Sequence, residues 1–337
     1  MKNKRKTISG WIISVFQFKC VPRPPDDTVQ ALKFNPQIAG HPVFLVSGSW
    51  DSVIRIWQIS ETGQCEVKAQ QIVGGPVMDL EWLDDGTKIF IASADEKIYL
   101  WDLVPNQITV IGKHDKPVKS CHWVNSTNYS CLMSGSWDKT LRFWDIRQLS
   151  TQTSLATVQL PERVYCSDML YPVAAVGLAN RHVKNRCIAI FRDKIGLPTG
   201  FALGLTGGRV AIQSIEASNL KDNFTFKCHR SPDLINGFQE IYAVNDLAFH
   251  PLYGTLVTVG SDGRIVVWSK ERRIRLKMSS ALPQPVTRVT IHPSGQVMAY
   301  AIGYDWSKGH EGYNAANAGS KIYLHTCGED MKLKPKK

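Results

Sequence analysis

Three groups of residues in this chain have the types and spacing to do chemistry. Ser136-Trp137-Asp138-Lys139 spells the S-x-x-K string of acyl-transfer enzymes, in which a helix brings the lysine to the serine hydroxyl. Ser134, His114 and Asp138 supply a hydroxyl, a base and a carboxylate. Lys270, Arg272, Arg273, Arg275 and Lys277 form a cationic run in which guanidinium forks could take carboxylates bidentately. Each has a plainer reading: S-x-x-K outside a helix is a chance string, buried Asp-His-Ser sets brace β-sheets, and charge runs are commonly solvated loops. The eight cysteines, at 20, 65, 121, 131, 166, 187, 228 and 327, show no zinc spacing and read as small buried strand residues in a reduced, intracellular setting. The sequons at Asn125, Asn128 and Asn223 are then chance matches. The histidines form no i, i+4 ligand pair, and no G-x-G-x-x-G or phosphate loop occurs. The expectation is no catalytic residue, metal, cofactor or small-molecule substrate.

What positions such residues is a repeat. Aspartate precedes tryptophan by six residues in Asp51 to Trp57, Asp95 to Trp101, Asp138 to Trp144 and Asp262 to Trp268. Between them the chain alternates, as in Val53-Ile54-Arg55-Ile56, which marks half-buried antiparallel strands. Small residues precede each aspartate, as in Ser47-Gly48-Ser49 and Ser134-Gly135-Ser136, leaving room where strands crowd toward an axis. The unit is a strand, a turn in which the carboxylate accepts backbone N–H groups, and a strand ending in a buried indole.

Trp57, Trp101 and Trp144 stand 44 and 43 residues apart, the length of one blade of a WD40 β-propeller, and Trp101-Asp102 and Trp144-Asp145 are literal WD pairs. The chain resembles that family. Diverged copies are 207–213, where Gln213 takes the tryptophan's place, and 320–325. The 69 residues from Trp144 to Gln213 are too few for two blades and too many for one. Val164 to Leu170 and Val173 to Leu178 therefore read as a fourth blade short of its outer strands. The expected fold is all-β: a seven-bladed WD40 β-propeller with a shortened fourth blade. Residues 1–20 form a divergent segment whose Trp11 to Phe18 closes the last blade, 21–330 the propeller, and 331–337 a basic tail.

Composition agrees. With 337 residues, 43% hydrophobic and 20% charged, the chain can bury a large core, and no stretch reaches the 18 apolar residues of a membrane-spanning helix. Lys2 to Lys6 followed by Ile8 to Phe18 mimics a secretory signal, but polar interruptions and the absence of a small-x-small cleavage site favour a strand. Forty Lys and Arg against 29 Asp and Glu leave a formal charge of +11, which favours acidic protein, nucleic acid or anionic lipid as partner.

Several segments are more specific than a propeller requires. Gly135-Ser136-Trp137-Asp138-Lys139-Thr140-Leu141, Gln159-Leu160-Pro161-Glu162-Arg163, 221–230 and Tyr304-Asp305-Trp306-Ser307-Lys308-Gly309-His310-Glu311 are similar to the Rae/Gle family of mRNA export factors. That resemblance, from about residue 21 to the end, implies a non-catalytic adaptor at the nuclear pore, in nucleus and cytoplasm, with RNA contact and a role at the mitotic spindle. Its implied partner is an FG nucleoporin carrying an acidic hairpin, gripped on the fifth to seventh blades by Arg209, Phe226, Trp268, Lys270, Arg273 and Arg275. Ser269 departs from the aspartate usual after the tryptophan. The Bub-type mitotic checkpoint propeller, which shares the Phe-Lys-Cys-His-Arg step, and a direct RNA-binding protein stand as alternatives.

Overall fold

Apolar–polar alternation becomes strand wherever the repeat requires it: Val53–Ile59, Lys97–Asp102, Thr140–Trp144 and Ile265–Ser269 each carry the signature tryptophan at or near their end. The computed structural model describes residues 19–147, 153–180, 184–216, 221–314 and 319–333. Antiparallel sheets follow one another along the chain. Four-stranded sheets span 29–72, 77–113, 118–159, 185–227 and 244–278, and a two-stranded sheet spans 164–178. A last four-stranded sheet joins Val286–Ile291, Val297–Ile302 and Lys321–Thr326 to Lys19–Cys20.

The innermost strands are Val29–Phe34, Val77–Trp82, Val118–Asn125, Val164–Leu170, Asn185–Arg192, Val244–Phe249 and Val286–Ile291. Each packs beside the next and the last beside the first, so seven blades close a ring. Lys19 and Cys20 pair with Leu324 and Tyr323, joining the N-terminal side of the chain to the last blade. The expected strand from Trp11 to Phe18 lies outside the described residues. Met331 is buried between the sixth and seventh blades, and its carbonyl accepts from Thr255 Oγ1 at 2.9 Å, so chain expected as tail is partly anchored.

Every innermost strand opens with a register shift against its neighbour, and the extra residue is Gln30, Met78, Lys119, Tyr165, Arg186, Asn245 and Thr287 in turn. A bulge turns its extra residue away from the regular alternation. All seven line one cavity of about 1070 Å³ at the mouth of the central channel. The glycines of the second strands serve the same crowding. A Cβ on Gly48 would stand 2.2 Å from Val77 Cγ1, and one on Gly204 would stand 2.4 Å from Cys187 Sγ.

Most core clusters lie on seams between blades: Trp101 between the first and second, Trp57 between the seventh and first, Trp144 between the second and third. The seam from third to fourth blade has a small cluster, Val124, Cys131 and Met133 with Phe143 and Met169 beside them. The fourth blade consists of Val164–Leu170 and Val173–Leu178, the two strands expected of it. Most cysteines are buried, but Cys20 is exposed and Cys65 and Cys327 are half-buried, so the uniform expectation of burial fails at the ring's outer strands.

Candidate protein-docking site

The catalytic-looking strings serve the scaffold. Ser136 sits at a strand end with its hydroxyl 3.0 and 2.9 Å from the carbonyl oxygens of Lys116 and Pro117, while Lys139 Nζ pairs with Glu162 at 3.0 Å. In the third blade His114 Nδ1 lies 2.8 Å from Asp138 and Nε2 2.7 Å from Ser134 Oγ, which also accepts from Trp144 Nε1 at 2.8 Å. His114 and Ser134 are wholly buried, and burial pushes the His114 ring below its ordinary pKa despite Asp138. The set is a brace that joins turn, strands and indole.

The sixth blade repeats that brace and through it positions the candidate site. His229 bridges Asp262 at 2.8 Å and Thr258 Oγ1 at 2.9 Å, and Trp268 Nε1 donates to the same Thr258 oxygen at 3.0 Å. Trp57, Trp101 and Trp144 are buried, whereas Trp268 is half-buried. Its ring meets Phe226 of the fifth blade, centroids 4.7 Å apart and planes at 51°. Phe224, two residues earlier on the same strand and so on the same face, lies 6.1 Å from Phe226 and carries the Arg273 guanidinium over its ring at 4.5 Å.

The turn after Trp268 supplies the charge. Ser269 Oγ accepts the Arg272 N–H, three residues on, at 3.2 Å, whereas Asp145 in the third blade accepts the N–H of Arg147, two residues on, at 2.9 Å, so serine ties its turn one residue later and without the charge. Arg273 has φ 54, the left-handed conformation that ends this turn. The edge strand Ile274–Met278 then runs back with Arg275 opposite Trp268 and with Ile274 and Met278 exposed. Lys270 turns the other way, its ammonium 4.6 Å from the Phe191 ring and 3.7 Å from exposed Glu271. Against Lys270, Arg272, Arg273, Arg275 and Lys277 the sequence of this segment sets one acidic residue, Glu271, which lies beside Lys270.

Five of the six expected residues thus belong to the seam between fifth and sixth blades, with Phe226, Trp268, Arg273 and Arg275 around one aromatic floor and Lys270 at its edge. Arg209 does not join them. It pairs with Lys227 while Val210 pairs with Phe226, so alternation sets Arg209 and Lys227 on the opposite face of the fifth blade. None of the six lies on the seventh blade, which the expected footprint included. Phe224 extends the floor and was not singled out, while Phe191, buried on the innermost strand of the fifth blade, draws Lys270 away from it. The Phe-x-Phe spacing at 224–226, in which both rings must share a strand face, is the signal that finds the first.

Comparison with known proteins places this geometry. The WD domain, G-beta repeat model matches residues 20–58, 68–102, 105–145 and 222–269, the four blades that carry the Asp-to-Trp spacing. The chain is 52% identical over 335 residues to mRNA export factor rae-1 of Caenorhabditis elegans, covering 93% of this chain and 89% of that protein. It is 48% identical to Protein Rae1 of Drosophila melanogaster, covering 93% and 94%, and 47% identical to the mRNA export factor of Xenopus tropicalis, covering 94% and 91%. The WD40 repeats of RRP9 superpose with a TM-score of 0.69 at 13% identity, over 92% of this chain and 97% of that one, a likeness of fold alone. With its braced WD blades, its closed ring and about half its residues shared with these relatives, the chain belongs to the mRNA export factor family of WD-repeat β-propellers.

Proposed function

We propose that this chain is a non-catalytic adaptor in mRNA export that docks an acidic, hairpin-forming segment of an FG nucleoporin along the seam between its fifth and sixth blades. In this reading it works at the nuclear pore and in nucleus and cytoplasm, contacts RNA within the export particle and also acts at the mitotic spindle. The observation that carries the reading is the Phe226–Trp268 pair, half-exposed and bordered by Arg273 and Arg275. An aromatic floor accepts one apolar anchor, and a cationic border draws acidic neighbours and sets register. Arg209 and Lys227 offer a second cationic point on the far face of the fifth blade for a partner long enough to wrap its edge. The names of the relatives support export over the checkpoint alternative. The test is replacement in cells. Depletion should trap polyadenylated RNA in the nucleus, and wild type should release it. A protein carrying Arg273→Glu and Arg275→Glu should fold yet fail, and full rescue by that variant would reject the reading.

A further inference from the structure

The fourth blade leaves a notch in the outer rim of the ring. Its sheet ends at Val173–Leu178, whereas the third and fifth blades on either side each have four strands. Residues 179–184 are all the chain between Leu178 and the innermost strand of the fifth blade. Strands lie about 4.8 Å apart, so both neighbours project about 10 Å beyond this edge. The third blade is uncovered as a result. In the first blade the outer strand Cys65–Ile72 alternates half-buried and exposed residues, one face being covered by a neighbour, but Ala156–Gln159 of the third blade is exposed at every residue.

The two walls of the notch differ in chemistry. Phe143 packs beside the cluster that joins the third blade to Met169 of the fourth, and the pairs Phe143–Ala156 and Leu141–Val158 set Ala156 and Val158 on the same face. This wall is apolar, and Val158 is 46% exposed on it. Opposite, Asn185 Nδ2 donates to the Leu178 carbonyl oxygen at 3.0 Å, so the face of the fifth blade that bears Asn185 looks onto the fourth. Leu205, Arg209 and Lys227 follow Asn185 across that sheet in register. Arg209 and Lys227 are exposed and have no ion pair among the described residues. The two cations that stand apart from the docking seam thus border the notch.

The floor is the open edge of Val173–Leu178, a row of backbone N–H and C=O groups with no charged side chain or proline to block pairing. A strand added there satisfies those groups, and its side chains alternate between the walls. One set meets Phe143, Ala156 and Val158, and the other meets Arg209 and Lys227. The walls therefore select a strand in which apolar and acidic residues alternate, and the depth of the notch admits a second strand behind it. A second copy of the chain does not fit, because the flanking blades of the two copies would collide before their edges met.

We propose that the notch of the fourth blade receives a β-hairpin of a partner protein and is completed by it to four strands. The inner strand of that hairpin pairs with Val173–Leu178, turning apolar residues to the third blade and carboxylates to the fifth. The site lies on the side of the fifth blade opposite the Phe226–Trp268 floor, and it does not depend on nucleoporin docking.

The probe is a synthetic hairpin of alternating valine and glutamate closed by an Asn-Gly turn, titrated calorimetrically into the full chain. Two controls accompany it, one of the same composition in scrambled order and one with lysine for glutamate. Saturable binding tighter than about 1 mM is expected of the alternating glutamate hairpin, with slowed hydrogen exchange at the amides of Val173–Leu178. Val158→Asp changes an exposed side chain and should weaken that binding about tenfold, while leaving affinity for the nucleoporin hairpin unchanged. Arg209→Glu with Lys227→Glu should reverse the preference in favour of the lysine hairpin. Equal binding of the scrambled peptide, unchanged exchange at Val173–Leu178, displacement of the probe by the nucleoporin hairpin, or a chain that is already dimeric with this strand protected would overturn the proposal.

Discussion

Phe226 and Trp268 meet ring to ring across the seam between the fifth and sixth blades, 4.7 Å between centroids, with the indole N–H of Trp268 tied to Thr258 on the far side. One tryptophan therefore serves both fold and surface. Trp268→Phe keeps an aromatic floor but leaves Thr258 Oγ1 without the indole donor. Chemical denaturation should show a loss of about 1 kcal/mol, the usual net worth of one such bond, with docking largely retained. Collapse of docking at unchanged stability would assign Trp268 to the partner alone.

The fourth blade leaves Val173–Leu178 as an outer strand with no further partner strand among the described residues. Its sequence, Val-Ala-Ala-Val-Gly-Leu, has none of the charges or prolines that protect sheet edges. Less apolar area is also buried beside it, at about 25 cal/mol per Å². The chain should melt below a relative with a complete fourth blade and associate on heating. Ala174→Lys, which places a charge at an exposed position of the edge, should reduce that association by light scattering at little change in melting temperature. Equal melting points for chain and relative would contradict the account of the short blade.

His292 is buried, accepts the Ser294 N–H on Nδ1 at 3.1 Å, and is pushed down to about 4 by burial. A histidine whose folded pKa lies below its ordinary value of 6.5 stabilises the fold fully above 6.5, and that contribution falls away as pH drops toward 4. Melting temperature should therefore decline between about pH 6.5 and 4, and His292→Gln should flatten the decline. An identical slope in the variant would place the acid sensitivity elsewhere.

Inside the channel Lys33 Nζ pairs with Glu81 at 2.6 Å. Burial by itself would raise the Glu81 pKa, but Lys33 and His122 hold it at about 2. Lys33→Met should cost about 2 kcal/mol, less than a fully buried pair because both side chains keep some contact with the channel. Glu81→Gln in that background should recover part of the loss in a double-mutant cycle, and simple additivity would show that the pair does not couple.

The repeat was legible because its signals are local. Aspartate, alternating strand and tryptophan lie within one hairpin, and the interval from Trp144 to Gln213 together with two strand-like runs located the short blade between Val164 and Leu178. The proposed docking residues came from likeness to a family, and the structure gathers most of them at one seam, but Arg209 shows where sequence stops. Which face of a strand a residue takes depends on register with its neighbour, and Arg209 falls opposite Lys227, not Phe226. The channel mouth was illegible for the same reason. Lys119, Arg186 and Tyr165 read as ordinary strand residues until pairing with the second strand shows each to be the extra residue of a bulge.

Whether the fifth and sixth blades grip an acidic nucleoporin hairpin is decided by calorimetric titration of that hairpin against wild type and against Arg273→Glu, at low and at physiological salt. Charge reversal should lower affinity at least about tenfold, and wild-type affinity should fall as salt is raised. Arg209→Glu should cost less, since that side chain stands apart from the aromatic floor. Unchanged affinity in Arg273→Glu, with the protein folded, would contradict the account.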